Sequence, residues 1–163
     1  MKVASTEVVP GLTKREFDLQ VAGVVDTVLN RAATGKWGAK GDVRAVINAQ
    51  SQFSKISGLK TAYGSVQRMP DQHINKKVEE AVLDHLQNRM DGAPSSIGEH
   101  LNYANPHPSA YESKQVPIWV QQLAVRARRE GLEFGQGTAT HVHGTNSENI
   151  RWKPAPFVVG LIK

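Results

Sequence analysis

Cysteine is absent from this 163-residue chain, which excludes disulfides, thiolate metal sites and cysteine nucleophiles together. The compartment stays open, because a cysteine-free protein tolerates oxidising and reducing surroundings alike. Long apolar runs are missing too. No window approaches the roughly 20 apolar residues of a membrane span, and the opening Met1-Lys2-Val3-Ala4-Ser5-Thr6-Glu7 lacks the apolar stretch of a signal peptide. No repeat or low-complexity tract occurs, and neither does a His-Glu-x-x-His helix or a zinc-finger or RNA-recognition signature. Acidic residues are the minority. Lys and Arg number 20 against 15 Asp and Glu, a net charge of +5 that favours polyanionic partners such as nucleic acid, anionic lipid or bacterial wall polymers.

What is present suffices for a core. With 39% hydrophobic residues, the chain fits one compact domain over residues 1–163 without metal or disulfide staples. Pro10-Gly11 marks a turn, and Thr13 followed by Glu16 forms a capping-box pattern. Phe17, Val21, Val24, Val25, Val28 and Leu29 then recur at helical spacing, which predicts a helix over 14–33 stopped by Gly35. Asp42 is placed to cap a short helix over 43–47. Pro70-Asp71 opens a second long helix whose face carries Ile74, Val78, Val82, Leu86 and Met90, ending at Asp91-Gly92. A third runs from Pro117 to Glu130, burying Ile118, Trp119 and Leu123, with Arg126, Arg128 and Arg129 in the last turns and Gly131 as its stop. Residues 93–116 read as a long polar connection of the kind that tends to be functional. Thr138–Val142 and Phe157–Ile162 read as short strands.

Glu7 lies among Val3, Ala4, Val8 and Val9, a setting that disfavours the charged carboxyl and keeps a proton available near neutral pH. Glu16 and Asp18 already have structural uses in capping and in the helix dipole, and Asp26 suits a partner such as Arg31 or a backbone amide. Asn30-Arg31 closes the helix, where Asn30 can bond neighbouring backbone and Arg31 can complement the carbonyl end. Gln52-Phe53-Ser54 offers an amide to a sugar substituent with a ring packed beneath. In His100-Leu101-Asn102-Tyr103-Ala104-Asn105-Pro106-His107, Tyr103 supplies an aromatic surface and Asn105 an amide. His141 and His143 project from one face if they lie on a strand. With His100 or His107 they make a zinc amidase or peptidase an alternative. A nucleic-acid-binding module is a further alternative, although the basic residues cluster only at Arg126 to Arg129.

The order of these pieces resembles the spore-cortex-lytic (SleB-type) cell-wall hydrolases, and its phage-borne members in particular. Glu7 with Gly11 stands where that family has its glutamate-bearing opening, and Val24 to Arg31 where it has the helix ending in Asn-Arg. Gln52-Phe53-Ser54, Tyr103-Ala104-Asn105-Pro106 and Thr140-His141-Val142-His143 match its later motifs. A shifted register of the opening places the acid at Glu16 instead, and Val158-Val159-Gly160-Leu161 departs from the family's ending.

The resemblance implies a mostly helical α+β, lysozyme-like domain with a small β-sheet, cleaving the glycan strands of peptidoglycan as a lytic transglycosylase or muramidase. Glu7 would then be the catalytic acid/base, with Gln52, Ser54, Tyr103, Asn105, His141 and His143 along the saccharide groove. The same reading expects no metal or other cofactor, no specific nucleic acid, no membrane span and a monomer. The lack of a signal peptide suits a phage endolysin or virion-associated lysin.

Overall fold

A computed structural model describes residues 1–58 and 63–155. The fold is α+β and mostly helical, with six α-helices and a three-stranded antiparallel sheet among the described residues. Helix α1 (Lys2–Glu7) was hidden in the sequence by its brevity; it turns Val3 and Ala4 inward and leaves Glu7 as its last residue. Helix α2 (Lys14–Thr34) follows the predicted span. The Thr13 hydroxyl accepts from the Glu16 amide, and Gly35 ends the helix in the left-handed region at φ 73°. The capping box is only half made, because the Glu16 carboxylate turns away to accept from the Gly135 amide at 2.8 Å. No helix among the described residues is long and apolar enough to cross a membrane.

Helix α3 (Val43–Asn48) is capped by Asp42, as its sequence indicates, and a single turn, α4 (Ser54–Ser57), follows Phe53. Pro70-Asp71 does not open the next long helix. It opens a 3₁₀ turn over Asp71–His73, and α5 (Lys76–Met90) starts behind Asn75, whose side chain accepts from the Lys77 and Val78 amides. Val78 and Val82 are buried while Met90 is exposed, so the apolar stripe of α5 is sealed only over its first half.

Helix α6 (Ile118–Glu130) corrects an expected face. Ile118 is 73% exposed and Trp119 42%; the buried stripe is Val120, Leu123, Ala124 and Ala127. That i, i+3, i+4, i+7 set contains two alanines, which let α6 lie close on the sheet. A Cβ on Gly144 would sit 2.3 Å from the Leu123 side chain.

The sheet order is β1 (Asn102–Ala104), β3 (His141–Gly144), β2 (Glu133–Phe134), with Tyr103 opposite His143 and Phe134 opposite His141. The strand expected at Thr138–Val142 is a 3₁₀ turn over Gly137–Ala139 followed by β3. The expected strand Phe157–Ile162 and the segment Val158–Leu161 lie outside the described residues. One apolar cluster joins α1, α2, α3 and α5 through Val3, Val21, Val24, Val46 and Val78, and a second joins α6 to β3 through Leu123, Ala127 and Val142.

Candidate active site

The polar residues of α2 hold the connection that leads into β1. Asp26 accepts from the backbone amide of Ser96 (2.7 Å) and its hydroxyl (2.8 Å). One turn on, the Asn30 amide donates to the carbonyls of Gly98 (2.8 Å) and His100 (2.9 Å), and Arg31 Nε donates to that of Leu101 (2.6 Å). Residues 96–101 are thus pinned along one side of α2, and Tyr103 follows two residues later. The bonds expected for Asn30 and Arg31 with local backbone are instead made to residues about 70 positions away.

Asp26 is fully buried and lies at ion-pair distance from His85 (3.1 Å) and Arg89 (3.2 Å) rather than from Arg31. Burial pushes its carboxyl up, but His85 and the Ser96 hydrogen bonds outweigh that and hold it below the ordinary carboxylate range.

Arg31 is buried between aromatic faces, its guanidinium 5.2 Å from the Trp37 ring centroid and 5.6 Å from that of Phe53. Its Nη1 donates to Gln52 Oε1 at 3.2 Å, and the Gln52 amide nitrogen in turn donates to the Gln50 carbonyl. Burial lowers the guanidinium to about 10, opposed by Tyr103 and Glu7, so it stays protonated at neutral pH. It is a fixed positive charge facing the end of α1.

Glu7 occupies that end. Burial raises its carboxyl above the ordinary value, and the Tyr103 hydroxyl, the charge of Lys55, the Thr6 hydroxyl and the charge of Arg31 pull it back, in that order. One carboxyl oxygen, Oε1, is enclosed without a hydrogen-bond partner among the described residues. Its apolar surroundings are Val3, Ala4 and Val8; Val9 turns outward, 45% exposed. A carboxyl at the carbonyl end of a helix also receives no help for its anion from the backbone dipole.

The third wall is the sheet. His141 and His143 share one face of β3, as the alternation predicts, and both are buried. The Tyr103 ring stacks on His141 at 5.1 Å and meets His143 at 5.5 Å, with Phe134 on the far side of His143 at 5.2 Å. Burial lowers His141 to about 4, opposed by a hydrogen bond with the Glu7 backbone, and burial, with the neighbouring His141, His100 and Arg31, holds His143 well below its ordinary value. Both rings are neutral near pH 7. Helix α2 approaches this pair closely at Gly23, where a Cβ would lie 2.6 Å from His143 Nε2.

Of the residues singled out from the sequence, Glu7, Gln52, Tyr103 and His141 converge with Arg31 on this one region. Ser54 is exposed at the start of α4, and His143 lies behind Tyr103 in the core. The Asn105 amide is occupied, donating to the Thr138 carbonyl in the 3₁₀ turn at 2.6 Å and accepting from the His107 amide of its own loop at 2.8 Å. His100 bonds Glu130 and Thr145, and His107 bonds Ser109, so neither stands with the β3 histidines as a third ligand. Among the described residues no three His, Cys, Asp or Glu side chains are grouped to hold a metal ion.

Lys55 and Gln20 were missed. Lys55 acts on Glu7 from α4, and Gln20, fully buried in α2, ties down the chain on both sides of Gly135 by donating to the Phe134 and Ala139 carbonyls. A polar residue at a core position of the α2 stripe was the available signal for Gln20; nothing local marks Lys55. Searches against family models, curated proteins and solved structures find no match for this chain.

Proposed function

We propose that this protein cleaves the glycan strands of peptidoglycan, with Glu7 as the single general acid/base of a lysozyme-like domain. The observation that carries the reading is the setting of Glu7: a carboxyl raised by burial, with one enclosed oxygen unpartnered, where three separate sequence motifs meet. A raised carboxyl retains the proton that glycosidic cleavage requires. In the sequence of events favoured here, the Glu7 proton passes to the bridging oxygen as the bond from that oxygen to the sugar C1 breaks. The Glu7 carboxylate then takes the proton from the muramic acid 6-hydroxyl while its oxygen bonds to C1, closing a 1,6-anhydro ring.

Among the described residues, the groups that shift the Glu7 carboxyl are Tyr103, Lys55, Thr6 and Arg31, none of them a carboxylate. That set supports ring closure over a two-carboxylate hydrolysis. The net charge of +5 supports an anionic polymer as the substrate. A zinc amidase is less well supported, since the β3 histidines are packed against Tyr103 and Phe134 and the other histidines bond elsewhere.

Glu7→Gln preserves shape and removes the transferable proton. Lysis of purified walls should fall at least a hundredfold, the range of a lost general acid, with the circular dichroism spectrum unchanged. Mass spectrometry of the wild-type digest should give anhydro-muropeptides that persist with a chelator. Retained lysis by the Gln variant, or freed stem peptides blocked by chelation, would refute the proposal.

A further inference from the structure

The outer side of α6 is not that of an ordinary solvated helix. Its buried stripe of Val120, Leu123, Ala124 and Ala127 packs on the sheet. Opposite that stripe, Ile118, Gln122, Val125 and Arg129 follow one another at i, i+4, i+7 and i+11, so they form one ridge along the outside. Ile118 is 73% exposed and Val125 49%, and Trp119, at the edge of the ridge, is 42% exposed. Apolar side chains grouped in this way and bordered by polar ones mark a surface that meets a partner.

The ridge is also cationic. Arg126 and Arg128 flank it and Arg129 continues it, while the sole carboxylate of α6, Glu130, is engaged by His100 at 2.9 Å. Arg128 pairs with Glu133 at 2.7 Å, but an ion pair this exposed is weak enough for a phosphate to replace it. Arg126 makes one long bond, 3.4 Å, to the Thr145 carbonyl, and Arg129 has no ion pair among the described residues.

Charge and shape together select the occupant. A second copy of this chain would set arginine against arginine. A polyanion in solution would satisfy the arginines but leave Ile118 and Val125 in water. An acidic protein would need a groove shaped to this one convex helix, whereas a fluid bilayer conforms to it. We infer that the outer face of α6 docks on an anionic phospholipid bilayer, lying in its surface rather than crossing it. Ile118, Val125 and the Trp119 indole enter the headgroup boundary, and the guanidinium groups reach the lipid phosphates. Helix α6 covers the side of the sheet that carries Val142 and Gly144, while His141 lies on the Glu7 side. Docking therefore leaves the candidate active site uncovered and does not depend on the activity of Glu7.

Sedimentation of the full-length protein with vesicles tests this. Vesicles of equimolar phosphatidylglycerol and phosphatidylcholine should retain the protein at low salt, and phosphatidylcholine alone should not. Affinity should fall about fivefold for each of Arg126→Gln and Arg129→Gln, and roughly tenfold or more for the double variant Ile118→Ser/Val125→Ser. Failure of the mixed vesicles to retain the wild type overturns the inference. Equal retention of wild type and double variant also overturns it, and marks a face that binds polyanions by charge alone.

Should the double variant fail to fold, brominated phosphatidylcholine in the same vesicles reads the contact directly. It should quench tryptophan emission of the wild type, and Trp119→Phe should lose that quenching. Quenching that is absent, or that persists in Trp119→Phe, overturns the inference.

Discussion

Single residues decide how closely the parts of this site approach one another. Gly23 shows the conflict of magnitudes well. In an exposed helix, glycine to alanine gains about 1 kcal/mol of helix propensity, but here the added carbon would sit 2.6 Å from His143 Nε2 and 3.3 Å from Phe134. Forcing a methyl group into a packed core costs roughly 1–3 kcal/mol. Gly23→Ala should therefore lower the urea midpoint rather than raise it, and a higher midpoint would show that the sheet yields at little cost. At this scale the sequence was uneven. The apolar side of Glu7 was legible because Val3, Ala4 and Val8 lie within a few positions of it, whereas Arg31, Lys55, Tyr103 and His141 come from distant segments. Asn30 and Arg31 were legible as unusual residues, yet their partners were not, because Gly98, His100 and Leu101 are brought to them only by the long-range course of the chain.

Among elements, the helices were read with the least loss. Thr13, Asp42, Gly35 and Gly131 act on local backbone, and local signals survive in sequence. The three strands have only two to four residues each, too few for an alternation to stand out, and α1 is a six-residue helix with no side-chain cap to announce it. The face of α6 was misread because its largest apolar residues lie outside while alanines lie inside, so size was a poor guide to burial. The two faces should respond differently to mutation. Leu123→Ala, at a fully buried position, should cost about 2–5 kcal/mol, whereas Ile118→Ser should stay within about 0.5 kcal/mol of wild type. Chemical denaturation of the pair checks this, and equal losses would contradict the assigned faces.

For the whole molecule, the buried imidazoles set the response to acid. His141 has an ordinary value of 6.5 that burial lowers to about 4, so between those values the unfolded chain binds the proton and the folded one does not. Stability is full above the unfolded value, falls as pH drops from 6.5 and has lost this contribution below about 4. The loss is on the order of 3 kcal/mol for His141, and His143 adds to it with the same sign. Glu7 works against them: its raised carboxyl costs stability as pH rises through its folded value. Asp26, held below its ordinary 3.8, keeps its contribution to lower pH. The melting temperature should thus drop between pH 7 and pH 4, with the steepest change below 6.5, and a flat profile over that interval would refute the neutral buried pair. The pairing of β1 with β3 has a consequence for biosynthesis. Glu7 leaves the ribosome early, but Tyr103 and His141 reach it only when residues 141–144 have been made and have taken the central place in the sheet. A growing polypeptide therefore carries this carboxyl long before the environment that raises it, and under the proposed function any product of premature termination ahead of that strand should be inert toward the wall.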